Sequence, residues 1–146
     1  MLVKPKLPTS LGYIAGSDAG GDFRGRLGYT LKDYLAEAGK ANNAVVVRRT
    51  AEGIVGVAWV EREGDRLIVH HLETDDRFEG GGVGTELLVA IEKRIALTNG
   101  VNEIALDALE DDELIAWYKR RGFAQAGVTR DEPGYGRIVP MRKKLA

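Results

Sequence analysis

The chain has 146 residues, a formal net charge of −1 at neutral pH and no cysteine. This length fits a single domain, residues 1–146, that buries about 70% of the surface its unfolded chain exposes. The near-zero charge gives no general reason to expect nucleic acid or an anionic membrane as partner. The lack of cysteine excludes disulfides, thiolate zinc sites and a cysteine nucleophile. We find no signal-peptide pattern and no apolar run that could span a bilayer, so we expect a soluble, cytoplasmic protein.

Residues 1–43 form an irregular N-terminal part with one predicted helix. Prolines and glycines interrupt residues 1–28, which fit an extended arm or loop with at most a short strand. Residues 30–38 have apolar side chains at helical spacing, with Thr30 as a plausible N-cap and Gly39 as a natural stop. We therefore predict a single short helix before the sheet begins.

Three strands are predicted next. Residues 44–49 and 54–62 are rich in valine, and Gly56 interrupts the second run. The tight turn at residues 63–65 leads into Arg66–Thr74, so these strands should pair as antiparallel neighbours. Arg66–Thr74 carries apolar residues on both alternating faces, which is typical of a strand covered on both sides.

A glycine-rich segment and an amphipathic helix follow this central strand. The glycines are Gly80, Gly81, Gly82 and Gly84, and the helix carries Leu87, Leu88, Ile91 and Ile95 at helical spacing. The first N–H groups of a helix are unpaired and carry partial positive charge, so such a segment suits a phosphate. The spacing fits neither the dinucleotide pattern nor the nucleoside-triphosphatase pattern. A flexible turn is the plain alternative.

The last third of the chain predicts a strand, a helix and two further strands. Residues 102–109 read as a strand, and residues 111–121 as a helix with Trp117 and Tyr118 on its apolar face. Phe123 opens another strand, and the final strand at residues 137–143 contains Pro140, which favours an edge or a bulge. The fold class is therefore α/β, a mixed sheet with helices on its faces.

Two motifs together resemble the Gcn5-related N-acetyltransferase (GNAT) superfamily. Residues 74–85, TDDRFEGGGVGT, are similar to its strand, Arg/Gln-x-x-Gly-x-Gly/Ala loop and helix, and residues 116–123, AWYKRRGF, to its second signature. The resemblance covers roughly residues 44–145 and implies an acetyl-CoA-binding core there. It also implies the acyl-CoA N-acyltransferase fold, with a mostly antiparallel central sheet and helices on both faces.

One position departs from the family pattern. Aligning Val83-Gly84-Thr85 with the family's helix start places Glu79 where Arg or Gln is usual. A literal Arg-x-x-Gly-x-Gly begins at Arg77, but that register shifts the helix start. A carboxylate at 79 would repel a pyrophosphate by about 1 kcal/mol or more where water is partly excluded.

The resemblance also assigns roles to individual residues. It implies direct acetyl transfer to a primary amine in a ternary complex, with acetyl-CoA as co-substrate and no metal. It places Tyr118 as general acid at the CoA sulfur, His70 as the first candidate base and Glu73 as the second. Helical packing is the plain alternative for Tyr118, and a buried structural role is the alternative for His70. The implied cofactor-binding residues are Leu72, Thr74, Glu79, Gly80, Gly81, Gly82, Val83, Gly84, Thr85 and Asp111.

His70 is expected to face the same way as Leu72 and Thr74, and His71 the opposite way, because successive strand residues alternate. The pair is therefore not interpreted as a metal site. The expected partner is an amine acceptor, either a small molecule or a peptide, and homodimer formation stays open. A non-catalytic module that binds CoA or a partner protein is the main alternative function, and a phosphate-binding regulatory domain is a weaker one.

Overall fold

The computed structural model describes residues 1–145. Within them one mixed sheet contains the strands β1 (Leu11–Tyr13), β2 (Asn43–Thr50), β3 (Gly53–Glu63), β4 (Arg66–Thr74), β5 (Glu103–Leu109), β6 (Ala124–Gln125), β7 (Arg130–Glu132) and β8 (Gly136–Lys144). The α-helices are α1 (Leu31–Ala38), α2 (Val83–Ala90), which continues as a π-helix over Ile91–Ala96, and α3 (Asp112–Arg120). In this part of the chain no helix is long and apolar enough to cross a membrane.

The sheet has the order β1-β2-β3-β4-β5-β8-β6, and β7 pairs with β8. The pairs β1–β2, β2–β3, β3–β4, β5–β8, β6–β8 and β7–β8 are antiparallel, whereas β4 and β5 are parallel. The predicted fold class is confirmed, because the sheet is mixed and mostly antiparallel and helices pack on both of its faces.

Helices cover both faces of the sheet, and each face has its own apolar core. On one face α1 packs Leu31 and Tyr34 against alternate residues of β2 and β3. On the other face α2 and α3 form the larger core, which includes Leu87 and Tyr118. The close approach of α2 to β3 requires a glycine at position 56, in the middle of the strand. A Cβ there would lie 2.3 Å from a methyl group of Val83.

Most predicted boundaries hold to within two residues. Thr30 caps α1 in a capping box with Asp33, as the spacing predicts. The strand predicted from Phe123 is only two residues long, at Ala124–Gln125. Pro140 is not at an edge, because β8 lies between β5 on one side and β6 and β7 on the other. Proline fits there because it falls between the stretches of β8 that pair with those two short strands.

Candidate active site

The candidate site begins where the two parallel strands separate. The pairing of β4 with β5 runs from Arg66↔Glu103 to Val69↔Leu106 and ends there, although both strands continue. The second half of β4, up to Thr74, therefore has no strand partner on its β5 side. A cavity of about 930 Å³ opens at this gap, within the size range of ligand sites.

A β-bulge at His70 causes one correction to the predicted geometry. β3 pairs Trp59 with His71 but the next residue, Val60, with Val69, so His70 is an extra residue in β4. Both histidine rings then lie beside the indole of Trp59, with ring centres 4.4 Å and 5.2 Å away. The prediction that His70 shares a face with Leu72 and Thr74 and diverges from His71 was wrong, because a bulge breaks the alternation.

The two histidines nevertheless have different surroundings. His71 is 5% exposed and its Nδ1 lies 2.8 Å from the hydroxyl of Tyr34; burial, aided by the neighbouring His70, lowers its pKa to about 4. His70 lines the cavity and its Nε2 lies 2.7 Å from a carboxylate oxygen of Glu61. Both histidines line the cavity, but His71 is a buried, neutral residue bound to Tyr34, whereas the ring of His70 is more exposed and is bound to Glu61.

The glycine-rich segment presents main-chain groups to the cavity. Gly80 and Gly82 have φ values of +83° and +80°, a left-handed conformation that side chains disfavour. Gly82 is the N-cap of α2, and the helix starts with a bond from Glu86 N–H to Gly82 C=O at 3.0 Å. The N–H groups of residues 83–85 precede that bond and have no intrahelical acceptor. They are available to an anion at this end of the cavity.

Arg77 does not contribute positive charge to this cavity. Its guanidinium holds the carboxylate of Asp75 at 2.9 Å and 2.7 Å, and Asp75 is 0% exposed. This pair holds the pKa of Asp75 well below its usual range. Asp75 also accepts the main-chain N–H of Arg24 at 3.0 Å, which anchors the loop before α1. Arg77 and Asp75 therefore have a structural role, while Glu79 is exposed at the cavity rim.

Glu73 is a buried carboxylate in the cavity wall. It is 9% exposed, and its Oε1 accepts the main-chain N–H of Leu27 at 2.7 Å. Burial raises its pKa, although the bond from Leu27 and the charge of Arg26 act in the opposite direction. The loop before α1 fits closely against this side chain, since a Cβ on Gly25 would lie 3.2 Å from Oε1. Glu73 is thus a fixed carboxylate that holds its proton more tightly than an exposed one.

Tyr118 faces the same cavity from α3. It is 6% exposed and packs edge-to-face against Trp117 and Phe123, with ring centres 5.0 Å and 5.5 Å away. Burial raises its pKa, and the nearby negative charge of Glu73 raises it further. The phenol therefore stays protonated at neutral pH, and the carboxylate of Glu73 lies close enough to influence its pKa.

Nearly all residues predicted for the site line this one cavity. They are Tyr118, His70, Glu73, Leu72, Thr74, Glu79, Gly80, Gly82, Val83, Gly84, Thr85 and Asp111. Gly81 does not line it. Asp111 is also the N-cap of α3, where it accepts the N–H of Leu114 at 3.1 Å.

Among the lining residues that the sequence interpretation did not assign to the site, two sets bear on the chemistry. The first is the wall formed by the loop before α1 and by the last hairpin: Arg26, Leu27, Tyr29, Arg130, Glu132 and Tyr135. These segments are far apart in sequence and carry no motif. The second is Arg121, the last residue of the helix predicted to carry Tyr118, whose basic side chain could have been noted there.

Comparisons with known proteins identify the family and the fold of this chain. The model of the acetyltransferase (GNAT) domain family matches residues 28–145. The chain belongs to the GNAT acetyltransferase family. A search of curated protein sequences found no significant match.

Solved structures share the fold at low sequence identity. Ard1 from Thermoplasma volcanium superposes with a TM-score of 0.79 at 19% identity, over 93% of this chain and 97% of that one. The ribosomal-protein-S18-alanine N-acetyltransferase from Escherichia coli gives 0.76 at 15%, over 93% of both chains. The PaiA N-acetyltransferase from Thermoplasma acidophilum, in complex with coenzyme A, gives 0.63 at 18%, over 79% and 71%. At sequence identities this low, the structural similarity shows a shared fold only.

Proposed function

We propose that this GNAT protein is an N-acetyltransferase that transfers the acetyl group of acetyl-CoA directly to a primary amine. The observation that carries the proposal is the meeting of three features in one cavity. Free helix N–H groups at residues 83–85, the phenol of Tyr118 and the buried carboxylate of Glu73 all border the gap between β4 and β5. Each suits one part of the reaction.

The residues present fit acetyl-CoA, the co-substrate of the family. The left-handed glycines leave the main chain bare at Gly80 and Gly82, and the N-terminus of α2 favours a diphosphate. The unpaired half of β4 leaves main-chain groups near Leu72 and Thr74 for the amides of a pantetheine arm. When bound, the co-substrate supplies the thioester and its acetyl group.

In the proposed mechanism Tyr118 acts as the general acid. The C–N bond to the acceptor forms as the C–S bond breaks, and the phenol donates its proton to the sulfur. A donor must be protonated before the reaction, and the raised pKa of Tyr118 keeps it so.

Glu73 is our choice for the general base, ahead of His70. Its carboxylate accepts the proton that the amine loses, and burial moves its pKa toward neutrality, which suits a base. It also lies close enough to Tyr118 to affect that group's pKa. The ring of His70 lies against Trp59 and is bound to Glu61, so we assign it to the part of the cavity wall that would receive the acceptor amine.

The acceptor amine would enter from the side opposite α2. Tyr29, Trp59 and Tyr135 line this part of the cavity, together with Glu73 at its base. Leu27 and Arg26 come from the loop that is tied to Glu73 and Asp75. The wall thus combines aromatic surface with a buried negative charge, a setting that can receive a protonated amine.

The proposal is tested with purified protein, by calorimetry with acetyl-CoA and by an assay for release of the free CoA thiol. The amine panel includes a polyamine, an amino acid amide and short peptides with free N-termini. We expect acetyl-CoA binding and thiol release that depends on at least one amine. Binding without release for any amine would favour the CoA-binding module, and absence of binding would refute both functions.

A further inference from the structure

We propose that Arg121 provides the cation for the diphosphate of the co-substrate, in place of the Arg or Gln that the family carries at position 79. The inference rests on the proposed use of acetyl-CoA and names the residue that completes that part of the site. It assigns the positive charge to the end of α3, not to the glycine segment.

The guanidinium of Arg121 is fixed against the first turn of α2. Its Nη2 donates to the hydroxyl of Thr85 at 2.9 Å, and Nη1 donates to the main-chain oxygen of Trp117 at 3.0 Å. The guanidinium carbon Cζ lies 3.8 Å from the ring centre of Trp117, within cation–π range. Thr85 is the third residue of α2, so the cation lies beside the free N–H groups of that helix.

The guanidinium still has unused donors. Arginine has five N–H groups, and these two bonds use one from each terminal nitrogen. Its Nε is buried and has no hydrogen-bond partner in residues 1–145. Arg121 also lines the cavity together with Gly82, Val83 and Gly84. Because Nε is buried, the second N–H of each terminal nitrogen is what this guanidinium leaves for a ligand in the cavity.

Electrostatics gives the strongest reason to expect an anion here. The N-terminus of a helix carries partial positive charge, so a cation beside it is unfavourable by about 0.3–1 kcal/mol. Arg121 lies next to this end of α2 through its bond to Thr85. An anion between the helix N–H groups and the guanidinium turns this repulsion into attraction on both sides. A diphosphate carries the charge and the planar oxygen pairs that an arginine fork binds well.

Other arginines near the segment are already paired. Arg77 is bound to the buried Asp75, as described above. Arg48 forms an ion pair with Glu86 of α2 at 2.7 Å and does not line the cavity. The positive charge of each of these arginines is therefore already balanced by a carboxylate of the protein.

A helical C-terminus also attracts cations, which is the structural explanation that the test must separate from ours. The last turn of α3 contains a matched control for this purpose, since Arg120 is adjacent, exposed and outside the cavity lining. If only the dipole of α3 mattered, Arg120→Gln and Arg121→Gln would affect the protein alike.

The experiment measures dissociation constants for CoA and for dephospho-CoA, and an inhibition constant for pantetheine, which has no phosphate. We expect Arg121→Gln to weaken CoA and dephospho-CoA equally, by about 10- to 100-fold, and to leave pantetheine unchanged. Arg120→Gln should stay within about twofold for all three ligands, because the side chain of Arg120 is exposed to solvent and does not line the cavity. Arg121→Lys should recover part of the loss, since it keeps the charge but not the fork.

Three outcomes would overturn the inference. One is unchanged CoA affinity in Arg121→Gln; another is a loss confined to CoA, which would place the cation at the 3′-phosphate. The third is an equal loss in Arg120→Gln. Thermal melting checks that the variant folds. If Arg121→Gln does not fold, Thr85→Val is used instead, because it removes only the hydroxyl that anchors the guanidinium. It should weaken the binding of CoA and dephospho-CoA several-fold, and unchanged affinities would contradict the inference. Failure of the wild-type protein to bind CoA would instead refute the proposed function.

Discussion

The two sides of the gap between β4 and β5 present different chemical groups to the cavity, main chain on one side and side chains on the other. The side at α2 is mainly main chain: left-handed Gly80 and Gly82 followed by the unpaired N–H groups of a helix start. The opposite side consists of side chains such as Glu73 and Tyr29, held by a loop from the first thirty residues. The first side suits the diphosphate of the co-substrate, which is the same for every family member. The second side suits the acceptor, which differs from one family member to another.

This difference has a physical cause and a practical consequence. Main-chain N–H groups are the same for every sequence, so a site made from them needs only glycines and a helix start at the right spacing. A side-chain wall depends on which residues several loops bring together, and it can change without altering the fold. Variants on the two sides should therefore affect different kinetic quantities.

Glu73→Gln should give the largest effect, on turnover. Removing a general base lowers the rate by about 10²- to 10⁴-fold, while the amide keeps an acceptor for the N–H of Leu27. CoA affinity should change little. Steady-state rates and calorimetry measure the two quantities, and His70→Gln is the comparison. A loss in His70→Gln that exceeds the loss in Glu73→Gln would reverse our assignment of the base.

The same residue predicts the acid limb of the pH profile. A base must be deprotonated, and burial raises the pKa of Glu73, so turnover should fall as pH falls through that raised pKa. Because the folded state then binds this proton more tightly than the unfolded state, its contribution to stability falls as pH rises through the same window. Glu73→Gln should thus melt no lower than wild type at pH 7. A lower melting temperature at pH 7 together with unchanged turnover would contradict both roles.

Tyr118→Phe should have the next largest effect, again on turnover. The substitution removes the proton donor but keeps the ring that packs against Trp117 and Phe123. We expect kcat to fall by about 10- to 100-fold with the CoA dissociation constant within about twofold. Stopped-assay rates at saturating acetyl-CoA provide the measurement. Equal turnover in the two proteins would remove the general-acid role.

Gly82→Ala should weaken binding of the co-substrate and leave the turnover rate at saturating acetyl-CoA unchanged. A Cβ at φ +80° strains the backbone by about 1–2 kcal/mol, which should shift the N–H groups of α2 and weaken CoA by about tenfold. Gly81→Ala is the matched control, since Gly81 has no positive φ and does not line the cavity. Calorimetry with CoA compares the two variants. Equal affinities for both would argue that the main chain does not hold the diphosphate.

Much of this site was predictable from the sequence, and the reason is local. The glycine segment, the start of α2 and Tyr118 on α3 depend on residues close together in the chain, so periodicity and a motif suffice to place them. The orientation of His70 was not predictable, because the bulge depends on how β3 pairs with β4. The cavity wall formed by the loop before α1 and the last hairpin was missed for the same reason, as it joins residues near 26 to residues near 135.

The fold shows the same division. The order of elements, the hairpin and the capping box at Thr30 follow from local patterns. The place of Pro140 inside the sheet does not, because it depends on β6 and β7 leaving a gap along β8. Long-range pairing decides such details, and a single sequence contains no direct record of it.

Glu79→Arg should give the smallest effect, again on the affinity for the co-substrate. Glu79 is exposed at the cavity rim, so its repulsion of a diphosphate is largely screened by water. Replacing the carboxylate should tighten CoA by about threefold to tenfold, and Asp76→Asn, which is exposed outside the cavity, should not. Identical affinities of wild type and Glu79→Arg would indicate that position 79 is too far from the phosphates to matter.

The most direct test of the central claim is an amide NMR titration of the protein with CoA. If the bare main chain at the start of α2 binds the diphosphate, the N–H resonances of Val83, Gly84 and Thr85 should shift most, followed by those of Leu72 and Thr74. Pantetheine should reproduce the shifts at Leu72 and Thr74 but not those at α2. Shifts confined to residues outside the gap between β4 and β5 would contradict the account.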